Sequence, residues 1–445
     1  MGDPLTVSVA TDQTGAVDDL DQTVSGLDAE TTVRLDPALT WLLGPPGERR
    51  PLTSLLQYDV QRLLWRELPL HWAAPPAEHH EVAWALGDLF EGAGLSRYAE
   101  LCRDRRTHEV LAGWHRDPAE GARLADAADE RSGVVPPPTS LLAFGPVRGP
   151  VEQEVFRAVS ALLEDGLTSG ALDPALRGFR AAAARRTERY VTTPSSGPGG
   201  VVPLRAVWRE RSLAWRAGFP GVPDGFWERA MPAVDDTPPV PLRVELSVAP
   251  ALALLAAVGD GLDLDADGHL PAGTALALDE RYGWSQHYAL GRPRGEADVQ
   301  QLLLLDEHLR SQRLLTVRSG RVTVAAEGRK VAADPARLWS ALVAPVPRWR
   351  DGIEQDALGV LATALLGQER HTPATVVAEA SSVLATRWRG GPSPSAVVAQ
   401  VWAQWYRLGI PLGWWEERRG PVRPTDYGRA ACASLHRAVS TRPRS

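Results

Sequence analysis

Three aspartates at alternate positions form the pattern in this chain that most resembles a set of metal ligands. Asp263, Asp265 and Asp267 are spaced like the first ligands of a calcium-binding EF-hand loop, and a glycine follows them. The pattern then breaks, because the twelfth loop position is Thr274 where a bidentate glutamate is required. We therefore expect a turn after a helix, with calcium binding as the alternative, and we predict no metal or other cofactor.

Histidine, a common zinc ligand, is concentrated in the first third of the chain. The residues concerned are His71, His79, His80, His108 and His115. A zinc protease carries His-Glu-x-x-His on one helical face. His80-Glu81 is followed by Trp84 at the place of the second histidine, and His108-Glu109 is followed by Ala112. We therefore interpret these histidines as solvated or hydrogen-bonded surface groups.

No known catalytic motif accompanies these patterns. The sequence contains no Gly-x-Ser-x-Gly nucleophile elbow, no phosphate-binding loop and no Gly-x-Gly-x-x-Gly fingerprint. Cys102 and Cys432 match neither a disulfide framework nor a metal-ligand spacing. Enzyme activity is therefore not predicted, although a catalytic site assembled from distant residues would leave no such motif.

Arginines in the last forty residues suggest contact with phosphate groups instead. The candidate nucleic-acid-binding residues are Arg407, Arg418, Arg419, Arg423 and Arg429. A protruding β-hairpin can place guanidinium groups against the phosphates of DNA. The alternative is an ordinary arginine-rich surface that Glu416 and Glu417 partly neutralise.

The hairpin expectation rests on a repeat with a period of one hundred residues. Arg318, Gly320, Val322, Gly328 and Arg329 recur as Arg418, Gly420, Val422, Gly428 and Arg429. The wing of a winged-helix module typically has a short β-strand, a glycine turn and a second short β-strand, which a Gly-Arg pair follows here. Three predicted helices precede each copy, so we predict two winged-helix-like modules in tandem.

The predicted third helix of each module limits the DNA hypothesis. Residues 396–402 of the second module are mostly apolar and offer few groups that read bases. The equivalent helix of the first module carries Asp306-Glu307, which would repel phosphate. Two hypotheses therefore stand: a DNA-binding or regulatory protein that uses the second module, and a non-catalytic protein-protein interaction or scaffold protein.

One segment resembles a known family. Residues 254–345 include Gly259-Asp260-Gly261, Gly268-His269-Leu270-Pro271 and Asp334-Pro335-Ala336-Arg337-Leu338-Trp339. This segment is similar to one that is common in uncharacterised actinobacterial proteins, where it often accompanies the plasmid open-reading-frame-three-like domain. That domain is not recognisable in this sequence. The family has no established activity, so the resemblance implies a fold and no function.

Charge is distributed unevenly along the chain. Residues 1–239 hold 24 basic and 34 acidic residues, whereas residues 346–445 hold 13 basic and 8 acidic ones. We predict a mainly α-helical protein with an acidic, mostly helical region at 1–192 and a linker with a Trp/Arg-rich bridge at 193–244. The modules follow at 245–345 and 346–445. DNA is the partner that the basic second module would attract, and a protein partner is the alternative.

The sequence also predicts the cellular location of the protein. No signal peptide opens it, and its longest apolar stretch, residues 249–258, is far shorter than a membrane span. We therefore expect a cytoplasmic protein without a membrane partner. Nothing in the sequence determines its oligomeric state.

Overall fold

The computed structural model describes residues 29–195, 200–236, 240–287, 291–345, 352–367, 372–416 and 421–444. These residues are mainly helical, and their strands form only small sheets. The chain divides into two compact units, Met1–Leu204 and Arg205–Ser445. Within the described part of the chain, no helix combines the length and the apolar character needed to cross a membrane.

The first unit consists of helices around a leucine-rich core that includes Leu35, Trp65, Leu86, Phe90 and Leu111. A π-helical turn, Leu63–Glu67, joins its second and third helices. Its helices are α1 (Ala29–Leu43), α2 (Gln57–Arg62), α3 (Leu68–His71), α4 (Pro76–Gly92), α5 (Ser96–Arg103), α6 (Arg105–Arg116), α7 (Pro118–Ser132), α8 (Pro150–Thr168) and α9 (Phe179–Thr192).

Capping aspartates set the ends of α6 and α7. The Asp104 side chain accepts the Arg106 backbone N–H at 2.7 Å, and Asp117 accepts that of Ala119 at 3.1 Å. Such caps satisfy amide groups that lack a partner in the first turn of a helix. The α6 helix therefore begins and ends at defined residues, and it packs against α4.

The second unit contains both predicted modules. Its elements are α10 (Pro203–Ala217, which begins two residues before the unit), α11 (Asp224–Glu228), α12 (Met231–Asp235), α13 (Val244–Val258), β1 (Leu262–Asp263), α14 (Ala272–Tyr282), α15 (Gln300–Ser311), β2 (Leu315–Arg318), β3 (Arg321–Val324), α16 (Ala326–Ala332), α17 (Pro335–Leu342), α18 (Ile353–Leu366), α19 (Pro373–Arg387), α20 (Pro394–Gly409), β4 (Trp415–Glu416), β5 (Arg423–Pro424) and α21 (Asp426–Ser440).

Each of the helices α15 and α20 is followed by a β-hairpin, and each hairpin belongs to a small antiparallel sheet. The first has the strand order β1-β3-β2, with Leu262 opposite Val322 and Leu315 opposite Val324. Gly320 has a φ of 73° in the turn between β2 and β3, a conformation that glycine adopts without strain. The second sheet pairs β4 with β5, and Trp415 lies opposite Pro424.

The sequence repeat corresponds to a repeated backbone path. The Leu314 N–H donates to the Leu309 carbonyl at 2.9 Å, and one hundred residues later Trp414 donates to Gly409 at 2.8 Å. Ala325 likewise donates to the Leu314 carbonyl, and its counterpart Thr425 donates to the Trp414 carbonyl, both at 2.9 Å. The two hairpins therefore leave the preceding helix and enter the following one in the same way.

The Gly-Arg pair of each repeat has a structural role. A Cβ atom on Gly328 would lie 2.2 Å from the Leu314 carbonyl oxygen, and one on Gly428 would lie 2.0 Å from that of Trp414. The following arginine donates to the last strand of the hairpin, to Val324 in the first copy and, from Arg429, to Pro424 in the second. The repeated residues are therefore those that hold the hairpin against the next helix.

One hydrophobic core serves the whole second unit. It includes Trp215 and Trp227 from the bridge, Leu305 from α15 and Trp405 from α20. The α15 and α20 helices pack against each other. A hydrogen bond of 3.1 Å from the Tyr427 hydroxyl to the Arg243 carbonyl also joins α21 to the start of α13. The two modules are thus parts of one compact body.

Candidate functional site

The exposed side of α20 is the candidate surface. Valines and tryptophans are buried on one side of the helix, which leaves Ser395, Ala396, Ala399, Gln400 and Arg407 exposed on the other. We call these five residues the α20 face. No acidic residue occurs anywhere in α20, and the face carries only small or polar side chains before Arg407. The α20 face itself therefore carries no negative charge.

The arginines that we predict to bind nucleic acid have different surroundings. Arg407 is exposed and makes no hydrogen bond or ion pair with any residue that the structure describes. Arg423 is exposed on β5, and its Nη1 lies 3.9 Å from a carboxylate oxygen of Glu416. Arg418 and Arg419 lie outside the described residues. All three candidates that the structure describes, Arg407, Arg423 and Arg429, are exposed, and the first two have the fewer short contacts with other groups.

Arg429 is engaged within its own module. Its Nη1 donates to the Pro424 carbonyl at 3.0 Å, and its Nη2 forms an ion pair with Asp426. The same bond to the hairpin exists at Arg329 in the first module. Arg429 thus has a structural reason to recur in the repeat that does not involve a ligand.

The equivalent helix of the first module has no comparable face. Within α15 only Gln300 and Glu307 are exposed, because the rest of the helix packs against its neighbours, α20 among them. The expectation that Asp306 would repel phosphate is wrong, since its side chain is 2% exposed and forms an ion pair with Arg310. Glu307 is the one acidic side chain that α15 presents to solvent.

Two buried carboxyl groups lie next to each other, one of them on α15. Glu296, in the 3-10 turn Glu296–Asp298, accepts the Leu270 backbone N–H at 2.6 Å, and its carboxyl group lies next to that of Asp306. Burial, and after it the neighbouring Glu296 carboxylate, raise the pKa of Asp306 to about 7 against the opposing influence of Arg310. Sequence reasoning missed this pair, because only the folded chain brings residues 296 and 306 together.

The three aspartates of the calcium pattern are not gathered around one point. Asp263 pairs with Arg321 on β3 at 2.8 Å. Asp265 accepts the backbone N–H groups of Asp267 at 3.0 Å and His269 at 2.8 Å, and so closes the turn. The ligand atoms that do lie within 4.8 Å of one another belong to Asp265, Asp267 and His269. The aspartate spacing is accounted for by the turn and by the ion pair to Arg321 on β3.

The clustered histidines are paired rather than dispersed. His79 contacts His115, and His80 contacts His108, between α4 and α6. The hydrogen-bonded interpretation of these four side chains is confirmed, whereas His79 is buried rather than on the surface. The spacing along the sequence gave no sign of the pairing, because it depends on how two helices pack.

Comparison with known proteins adds no relative. No protein-family model, curated protein or solved structure matches this chain. The resemblance of residues 254–345 to an actinobacterial segment therefore stays a prediction.

Proposed function

We propose that this protein binds duplex DNA through its second module, which we interpret as a winged helix. Support comes from the order of elements: α18, α19 and α20 precede the β4-β5 hairpin. In the first module, where the hairpin is longer, β1 adds to it as a third strand after the first helix. In helix-turn-helix proteins the recognition helix lies in the major groove and its N-terminal residues contact base edges. The α20 helix holds the corresponding place in the second module.

The observation that carries the proposal is the composition of the α20 face. Ser395, Ala396, Ala399 and Gln400 occupy its first two turns, where a recognition helix meets the bases. Alanine and serine permit close approach, and glutamine can donate to and accept from one adenine. Arg407 lies at the far end of the helix and Arg423 on the hairpin, where each can contact a phosphate.

The charge of the second module favours the same partner. Residues 346–445 carry 13 basic and 8 acidic residues, a net of +5, while the whole chain has a net charge of −7. Several of the acidic groups are already paired: Asp356 is buried among arginines, and Glu379 lies 2.9 Å from Arg229. The long-range attraction to phosphate is therefore concentrated in this module.

The first module supports the second in this proposal. Its α15 packs against α20, which fixes the buried side of the proposed recognition helix. Because α15 is itself covered, each chain would present one recognition helix and contact one half-site.

A negative charge placed on the α20 face tests the proposal. Fluorescence anisotropy of a labelled mixed-sequence duplex, titrated with the full chain at low salt, measures the affinity. We expect Gln400→Glu and Ala399→Glu each to weaken binding at least tenfold, about 1.4 kcal/mol, through repulsion of nearby phosphates. The matched control is Ala257→Glu, which adds the same charge at an exposed position of α13. Equal affinities for all four proteins would contradict the proposal.

A protein-interaction role is the second candidate, and exposed apolar side chains favour it. Leu242 and Leu246, at the start of α13, are 92% and 60% exposed. Leu242 lines a groove together with Leu366 and Tyr427. If this role is the correct one, Leu242→Asp abolishes association with the partner, and the glutamate substitutions on α20 change nothing.

A further inference from the structure

Two pairs of imidazole rings connect α4 to α6 in the first unit. Nδ1 of His79 lies 3.0 Å from Nε2 of His115, and Nδ1 of His80 lies 2.7 Å from Nδ1 of His108. The two rings of each pair are inclined by 27° and 28°. In a neutral pair one nitrogen must donate and the other accept, so each pair shares a single proton between two bases.

The surroundings of His79 fix where its proton lies. Its Nε2 is 3.1 Å from the Trp72 carbonyl oxygen, which can only accept, so Nε2 carries the hydrogen. The neutral ring therefore directs the lone pair of Nδ1 towards His115. A metal-binding histidine is usually oriented in this way, by donating its other N–H to a carbonyl or carboxylate.

The separation of the two nitrogens also suits a metal ion. With bonds of about 2.0–2.1 Å, two imidazole ligands of one zinc ion lie about 2.9 Å apart at a right angle and about 3.3 Å apart at a tetrahedral angle. The 3.0 Å between His79 and His115 falls between these values. An ion bound by both nitrogens would lie off the line that joins them, at the apex of the angle between its two bonds.

We propose that His79 and His115 bind one divalent transition-metal ion of the zinc, nickel or copper class. His79 is 1% exposed and held by the Trp72 carbonyl, so it supplies a rigid ligand. His115 is exposed, which gives the ion a path from solvent and leaves room for water ligands. Imidazole nitrogen is a preferred ligand for these metals.

The second pair differs in ways that favour a hydrogen bond. Trp84 stacks on His108 with ring centroids 5.4 Å apart. The Nε2 of His108 is buried and has no hydrogen-bond partner among the described residues, so nothing orients its ring as Trp72 orients His79. We therefore assign the ion to the first pair and treat the second as a comparison.

Calorimetric titration of Zn²⁺ into the untagged full chain tests the assignment. We expect one ion per chain, and binding at least tenfold weaker in His115→Gln, a substitution at an exposed position that leaves the core unchanged. His71→Gln, at an exposed histidine outside the pairs, is the matched control and should bind as the unmodified protein does. His108→Gln should also retain the ion.

Electron paramagnetic resonance with Cu²⁺ supplies a second measurement that needs no substitution at the buried His79. The expected spectrum shows coupling to two imidazole nitrogens in the unmodified chain and to one in His115→Gln. Absence of Zn²⁺ binding, unchanged affinity in His115→Gln, or loss of the ion only in His108→Gln would each overturn the proposal.

Discussion

At the scale of single residues, Asp356 has the densest set of polar contacts in the second unit's core. It is fully buried, and its carboxylate accepts the indole N–H groups of Trp215 at 2.8 Å and Trp388 at 3.0 Å. Arg387 and Arg442 each lie 3.3 Å from it. These contacts join α10, α18, α19 and the end of α21, so the aspartate neutralises two cations and satisfies two indoles.

Removal of that carboxylate should destabilise the second unit strongly. Breaking a buried ion pair from one side costs about 3–5 kcal/mol, because the partner charge is left uncompensated. We expect Asp356→Ala to lower the free energy of unfolding by about this amount in urea denaturation. The control is Asp426→Ala, since Asp426 pairs with Arg429 at the surface and should contribute about 1 kcal/mol or less. Equal losses in the two variants would show that the buried network does not stabilise the fold.

Asp306 should make stability depend on pH. Its pKa is raised from 3.8 to about 7 in the folded chain, so the folded state binds a proton that the unfolded state releases. The resulting stability is present below pH 4 and is lost as the pH rises towards and through 7, by at most about 1.4 kcal/mol per pH unit. The substitution Asp306→Asn replaces the carboxyl group by an amide of nearly the same shape, which does not titrate.

We therefore expect the free energy of unfolding of Asp306→Asn, relative to the unmodified chain, to rise between pH 5 and pH 8. Urea denaturation at each pH measures the difference. A difference that stays constant, or that falls with increasing pH, would mean that Asp306 does not hold the proton in the folded state.

At the scale of secondary-structure elements, the second hairpin depends on a glycine at the start of the next helix. The Gly428 Cα passes so close to the Trp414 carbonyl that a Cβ would lie 2.0 Å from its oxygen. Backbone must shift to admit a methyl group, so we expect Gly428→Ala to cost about 1–3 kcal/mol or more. Gly225→Ala, in α11 where a Cβ meets no atom within 4 Å, should be neutral or slightly stabilising. Thermal unfolding of the two variants compares them, and similar midpoints would refute the close approach.

Sequence periodicity predicted these elements well where they are long and regular. The predicted third helix of the second module, which includes residues 396–402, is found as Pro394–Gly409. The repeat also marked Gly328 and Gly428, although the reason for the glycine became clear only from the carbonyl that each one faces. Local pattern and turn chemistry determine features of this kind.

The sequence did not predict which secondary-structure elements contact one another. The repeat suggested two modules in series, but it did not reveal that α15 and α20 pack together and share one core. It placed Asp306 on a surface, whereas the side chain is buried beside Glu296. It also missed that His79 and His115 meet across two helices. Each of these depends on the packing angle between helices, which no single helix encodes.

At the scale of the whole molecule, we propose the α20 face as the surface of the second unit that contacts DNA. The covered α15 and the acid-free α20 lie in one body, so the repeat provides a support and a proposed contact surface instead of two equivalent surfaces. Arg407 and Arg423 are exposed cations of this module that we propose as phosphate contacts. Their contribution to binding should be electrostatic and independent of base sequence.

The salt dependence of DNA affinity tests this account most directly. For duplex DNA the logarithm of the association constant falls with the logarithm of salt concentration by about 0.9 for each phosphate that the protein neutralises. We predict measurable binding of the full chain to a mixed-sequence duplex at low salt. The slope should become about 2 units less steep when Arg407→Ala and Arg423→Ala are combined, and Arg294→Ala, at an exposed arginine of the first module, should leave it unchanged. No binding at low salt, or the same slope in all three proteins, would contradict the proposal that the second module contacts DNA.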